Sequence, residues 1–192
     1  MTKAETVASY IRQHPEFEIV PRMDDPYGHM GATLTDAVLQ SGIDYNSVVR
    51  RRVDQIQSDY PSARTTSEFA RILRDDGVET ILRFKGRKPR TLLALVSLLV
   101  ENRVEREHDL LVWLRNPDNF ARVKGIKGIK NKTANYLRIL SGDPDAIAVD
   151  VRLLAFLAEA GVPTSDFTEA ESVIREAAKL LGVEPARLDK SM

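Results

Sequence analysis

The stretch RVKGIKGIKNKTANYLRIL, residues 122–140, decides how this chain is read. It holds Gly-Ile twice, at 125–126 and 128–129, carries lysines at 124, 127, 130 and 132, and contains no acid. Ile126-Lys-Gly-Ile-Lys130 interrupts the helical pattern and reads as a turn between two helices. Gly128 supplies the positive φ that a tight turn needs, and Ile126 and Ile129 anchor the turn in a core. Lys132-Thr-Ala-Asn-Tyr-Leu137 then begins a helix, so backbone N–H groups point out of the turn. Such an arrangement holds phosphate without reading base sequence, and the four lysines supply counter-charge. The bland alternative is the solvated face of an ordinary helix.

Composition narrows the classes. Hydrophobic residues make up 43% and charged residues 29% of the 192, the balance of a soluble globular protein of one domain or two small lobes. There is no cysteine, which excludes disulfides, thiolate zinc sites, cysteine-ligated iron–sulfur clusters and a cysteine nucleophile. The N-terminus lacks a signal-peptide core. The most apolar run, TLLALVSLLV from Thr91, is too short to span a bilayer. A cytoplasmic location, nucleoid-associated in a prokaryote, or another intracellular one, is the expectation. The formal net charge is zero, whereas nucleic-acid binders are usually basic. Its distribution is more telling. Arg83, Lys85, Arg87, Lys88 and Arg90 form one acid-free segment, and Arg122, Lys124, Lys127, Lys130, Lys132 and Arg138 form another. Charge polarised in this way steers phosphate backbones.

Periodicity predicts an all-α chain of about ten short helices, at 3–14, 31–42, 45–59, 66–75, 77–84, 89–103, 107–115, 131–140, 150–160 and 168–182. Thr66, Pro89 and Thr168 read as start signals, and Gly182 as a stop. RNPDN, like YPSAR and SGDPDA, reads as a break. The last residues, VEPARLDKSM, hold either a short helix with Pro185 in its first turn or the start of a longer one. Trp113 lies on an apolar stripe and reads as core, His14, His29 and His108 as scattered non-ligands, and Arg50–Arg52 as a solvated run.

Residues 126–134 resemble the helix-hairpin-helix motif of the endonuclease III-like DNA glycosylases, Leu-Pro-Gly-Val-Gly-x-Lys-Thr-Ala. Here Lys127 replaces the proline and Lys130 the second glycine. A second segment, AIAVDVRLLAFL, resembles the family's Ala-Val-Asp-Thr-His and puts Asp150 at its aspartate, 18 positions after Lys132 (150 − 132), as in the family. Upstream, TLTDAVLQSGIDYNSVVRRRV and DDGVETILRFKGRKPRTLLAL resemble the segments that carry two DNA-facing loops. The likeness covers about residues 30–182; the iron–sulfur loop is the part missing.

The resemblance implies a two-lobed helical glycosylase fold. A six-helix-barrel-like lobe, 30–133, would end in the hairpin, and 1–29 with 134–192 would form the second lobe, the active site lying in a cleft between them. It implies Lys132 and Asp150 as catalytic residues, and the chemistry asks for those types. Breaking the bond from C1′ to the base passes through an oxocarbenium-like state that a carboxylate stabilises. An amine that attacks C1′ forms a Schiff base and permits strand cleavage. DNA contacts are implied at Lys127, Gly128, Ile129, Lys130, Asn131 and Thr133 of the hairpin, at Ile43 and Tyr45 of a loop filling the gap left by the flipped base, at Arg87 and Lys88 of the wedge loop, and at Arg152. Backbone carbonyls of Lys124, Ile126 and Ile129 would bind a monovalent cation, K+ or Na+; no other cofactor is required. Asp150 equally reads as a helix N-cap. The expected function is a monomeric bifunctional DNA glycosylase and abasic-site lyase of base-excision repair, acting on double-stranded DNA with a damaged or mismatched base and not at a membrane. The competing readings are a non-enzymatic hairpin protein that grips DNA and a monofunctional, hydrolytic glycosylase.

Overall fold

The computed structural model describes all 192 residues, and the chain is all-α. The helices are α1 (Lys3–Gln13), α2 (Met30–Leu39), α3 (Arg50–Asp59), α4 (Thr66–Asp76), α5 (Val78–Leu82), α6 (Arg87–Glu101), α7 (Glu107–Leu114), α8 (Pro117–Gly125), α9 (Asn131–Leu140), α10 (Val151–Glu159), α11 (Phe167–Leu181) and α12 (Pro185–Ser191). A π-helical turn, Tyr45–Val49, leads into α3. No helix is long and apolar enough to cross a membrane.

One of these helices, although implied by the turn at 126–130, is absent from the spans that periodicity predicts. RNPDN reads as a break, yet α8 starts inside it. Asn116 accepts from the N–H groups of Asp118 (2.9 Å) and Asn119 (3.4 Å), and Pro117 takes the first helical position. An Asx cap followed by proline is a start signal as much as a turn signal. Other starts move by a residue or two. Thr65 caps α4 in place of Thr66, and α6 begins at Arg87, ahead of Pro89. Asp166 accepts from Thr168 N–H, so Thr168 is a capped residue and not the cap. The helix expected over 45–59 opens as the π turn, whose start is held by Asp44 accepting from Ser47 N–H at 2.8 Å.

The chain divides into two compact units, residues 25–142 and residues 1–24 with 143–192. The expected boundaries, 29/30 and 133/134, are drawn elsewhere: α9 stays with the larger unit because Ala134 and Leu137 are buried in its core. At the centre of that unit every residue of α2 is buried, and α3, α4, α6 and α9 pack around it. The approach is close enough to need glycine at position 31, where a Cβ would lie 3.0 Å from both Ala63 Cβ and Phe69 Cδ2. In the smaller unit α1 packs on α11 through small residues, among them Ala4, Ala170 and Ala177. Lys3 pairs with Glu169 along that seam.

Candidate nucleic-acid interface

The turn between α8 and α9 is built by short bonds and one distant hydroxyl. Ile126 is extended, and its N–H donates to the Val123 carbonyl at 3.1 Å, closing α8. Ile129 N–H then donates to the Ile126 carbonyl at 3.0 Å. Between them Gly128 takes φ +102°. Thr91, buried on α6, donates its hydroxyl to the Lys127 carbonyl at 2.8 Å. A Cβ on Gly128 would stand 2.5 Å from that same hydroxyl oxygen. The glycine therefore answers two demands, a left-handed backbone and the approach of another helix.

Lys130 occupies the N-cap of α9 with φ −123° and ψ −177°. That is extended backbone open to any side chain, so a lysine stands there without strain. A lysine has no acceptor, and it makes no side-chain cap. The first bond back from α9 into the turn is Ala134 N–H to the Lys130 carbonyl, at 3.0 Å. The start of α9 thus keeps the positive end of a helix dipole without an acidic cap.

Exposure sorts the expected contact residues. Lys127, Gly128, Lys130 and Asn131 are exposed, and Lys132, in the first turn of α9, is half-buried. Ile129 and Thr133 are buried, at 0% and 5% exposure. Their side chains face the core, leaving only backbone groups to meet a ligand. The Ile126 carbonyl, one of three expected to hold a cation with those of Lys124 and Ile129, already accepts an N–H and has one lone pair left. Side chains of His, Asp and Glu nowhere gather in threes able to hold a metal.

Lys88 needs correction. Its ammonium donates to the carbonyls of Val38 (2.5 Å), Ser41 (2.7 Å) and Leu39 (3.4 Å) at the end of α2. With its three donors spent on three carbonyls, it fastens the loop before α6 to α2 and does not present a charge to phosphate. Burial and then the neighbouring Arg87 push its pKa down to about 8, while the carbonyls favour the charged form. Arg87 itself is exposed. Ile43 and Tyr45 are half-buried, packed against the core beside this loop.

The larger unit thus brings together three chain-distant stretches, 38–45, 84–91 and 126–132, through Lys88 and Thr91. Sequence reasoning passed over Thr91, whose only signal is a hydroxyl inside a leucine-rich run. It also passed over Asp36, an acid in a wholly buried helix. Asp36 accepts from Tyr27 OH at 2.7 Å and from Tyr136 OH at 3.4 Å. Burial raises its pKa to about 6, against the two hydroxyls that pull it down. Tyr136 lies one helical turn beyond Lys132, so this clasp ties α9 to α2 just behind the lysine.

Asp150 and Arg152 belong to the smaller unit. Asp150 caps α10, accepting from Arg152 N–H (2.9 Å) and Leu153 N–H (3.2 Å) through one oxygen. The cap fixes the carboxylate's orientation. Arg152 is exposed on the first turn of that helix. No family model, curated protein or solved structure matches this chain.

Proposed function

We propose that this protein is a DNA glycosylase with abasic-site lyase activity, of the endonuclease III-like helix-hairpin-helix kind, acting on duplex DNA with a damaged or mismatched base. The observation that carries the reading is the hairpin turn. Gly128 at φ +102°, the Thr91 brace and the acid-free start of α9 make a backbone anion site with Lys132 in its first turn. The turn grips the sugar-phosphate backbone and reads no bases.

Lys132 is the nucleophile. Its neutral amine adds to C1′ as the bond to the base nitrogen breaks; the electron pair leaves with the base, which takes up a proton. By the family resemblance, Asp150 is the carboxylate that stabilises the positive charge developing on the sugar, and the proton lost from the amine passes to a base. The sugar ring opens to a Schiff base. Loss of a C2′ proton then expels the 3′ phosphate, and water releases the enzyme. Capping by two N–H groups holds the carboxylate of Asp150 ready for this role.

Borohydride trapping on an abasic duplex tests the assignment. A covalent adduct is expected with the wild type and none with Lys132→Ala, while Asp150→Asn retains DNA binding and loses most base release. Base release from a lesion panel without any adduct would assign hydrolysis instead. Tight binding with neither adduct nor release would reduce the protein to a hairpin binder.

A further inference from the structure

A pocket of about 360 Å³ opens between the first turns of α6 and the entry of the hairpin turn, lined by Arg87, Arg90, Thr91, Ala94, Ile126 and Lys127. It lies within the larger unit, and here the two acid-free basic segments meet. We propose that this pocket seats one phosphate group of a nucleic-acid strand, gripped in common by Arg87, Arg90 and Lys127. The proposal rests on the DNA-binding reading above and adds a second contact to it. The hairpin's backbone site lies at the exit of the turn, whereas Ile126 and Lys127 form its entry.

Four observations converge. First, the lining holds three cations and no acid. None of the three is in an ion pair, although acids elsewhere on the surface are used that way, as in Arg71 with Glu68 and Asp75. Arg90 makes one internal bond, Nε to the Gly86 carbonyl at 3.2 Å, which engages Nε and leaves its terminal nitrogens for a ligand. Like charges crowded around a pocket raise its potential, and an anion relieves that repulsion.

Second, the floor strengthens the field. Ala94 and Ile126 are apolar and Thr91 is buried, and low-dielectric walls focus the potential of charges at a rim. Third, the Thr91 proton is committed to the Lys127 carbonyl, so the side-chain donors left for an anion are the guanidinium and ammonium groups. Two arginines suit a phosphate, because each presents a planar fork to two oxygens. Fourth, the walls are tied. The bond from Thr91 to Lys127 joins α6 to the turn, so the cations are held near one another before any ligand arrives. The volume exceeds that of a bare ion and suits a phosphate with its flanking sugar atoms.

A shared seat makes a quantitative prediction. The slope of log K against log salt counts phosphates neutralised, at about 0.9 each on duplex DNA. For a duplex with a tetrahydrofuran abasic analogue, the triple variant Arg87→Gln, Arg90→Gln, Lys127→Gln is expected to bind at least tenfold more weakly. Its slope should fall by about 0.9, one phosphate, and not by the roughly 2.7 of three separate contacts. Arg90→Lys should weaken binding while keeping the slope, since charge remains and the fork is lost. All three side chains are exposed, so the melting temperature should not move. The same titration on an intact duplex and on one nicked beside a terminal phosphate separates the sources. Slope loss on the intact strand assigns an internal diester, and loss confined to the nicked one assigns a phosphate end. Unchanged affinity and slope in the triple variant, or a fall near 2.7, would overturn the seat while leaving the glycosylase reading intact. A wild type that fails to bind duplex at all overturns both.

Discussion

Gly125-Ile126-Lys127 and Gly128-Ile129-Lys130 are the same three residues in immediate succession, and they become different structures. Gly125 is the last residue of α8, and a Cβ added there meets nothing within 4 Å. Gly128 turns left-handed against the Thr91 hydroxyl. Ile126 is half-buried and Ile129 wholly so. Local propensity cannot separate two identical tripeptides. What separates them is the surroundings of each glycine, open space at Gly125 and the Thr91 hydroxyl of α6 at Gly128. The lesson is that a motif's register is decided by tertiary contact even when its composition is repeated.

The comparison can be broken by mutation. Gly128→Ala should cost the most, roughly 3–5 kcal/mol in denaturant unfolding, by adding a left-handed backbone penalty to a 2.5 Å clash. Adding Thr91→Ala to it should recover part of that loss, and a double variant no better than the single one would show that the clash is not the cause. Next comes the isoleucine pair. Ile129→Ala is expected to lose about 3 kcal/mol and Ile126→Ala about half as much, since only the first leaves a closed cavity. Equal losses would erase the asymmetry. The smallest effect has the opposite sign. Gly125→Ala should stabilise by about 0.5–1 kcal/mol, because alanine costs less entropy than glycine in a helix.

Much of the helical fold was legible because amphipathic periodicity is a local property. α1, α4, α7 and α9 lie within one or two residues of their expected spans. α8 was lost because Asn-Pro serves turns and helix starts alike, and only the following turn of helix distinguishes them. The candidate site was legible where one short stretch carries it: the turn, its glycine and Lys132. It was illegible where the chain returns from afar. Nothing in TLLALVSLLV announces that its first residue braces a turn 36 positions later. Lys88 misled for the same reason: among arginines and lysines in sequence it looks like its neighbours, and only the approach of α2's carbonyls gives it a different task.

The Thr91 hydroxyl has a last consequence, for the order of assembly. A hairpin of two adjacent helices is a low-contact-order element and should form early and on its own. This one is completed by a residue from a helix two elements earlier, so its helices can pair before its turn takes final shape. The turn around Gly128 is therefore expected to reach its final shape late in folding, once α6 has docked and Thr91 can brace the Lys127 carbonyl.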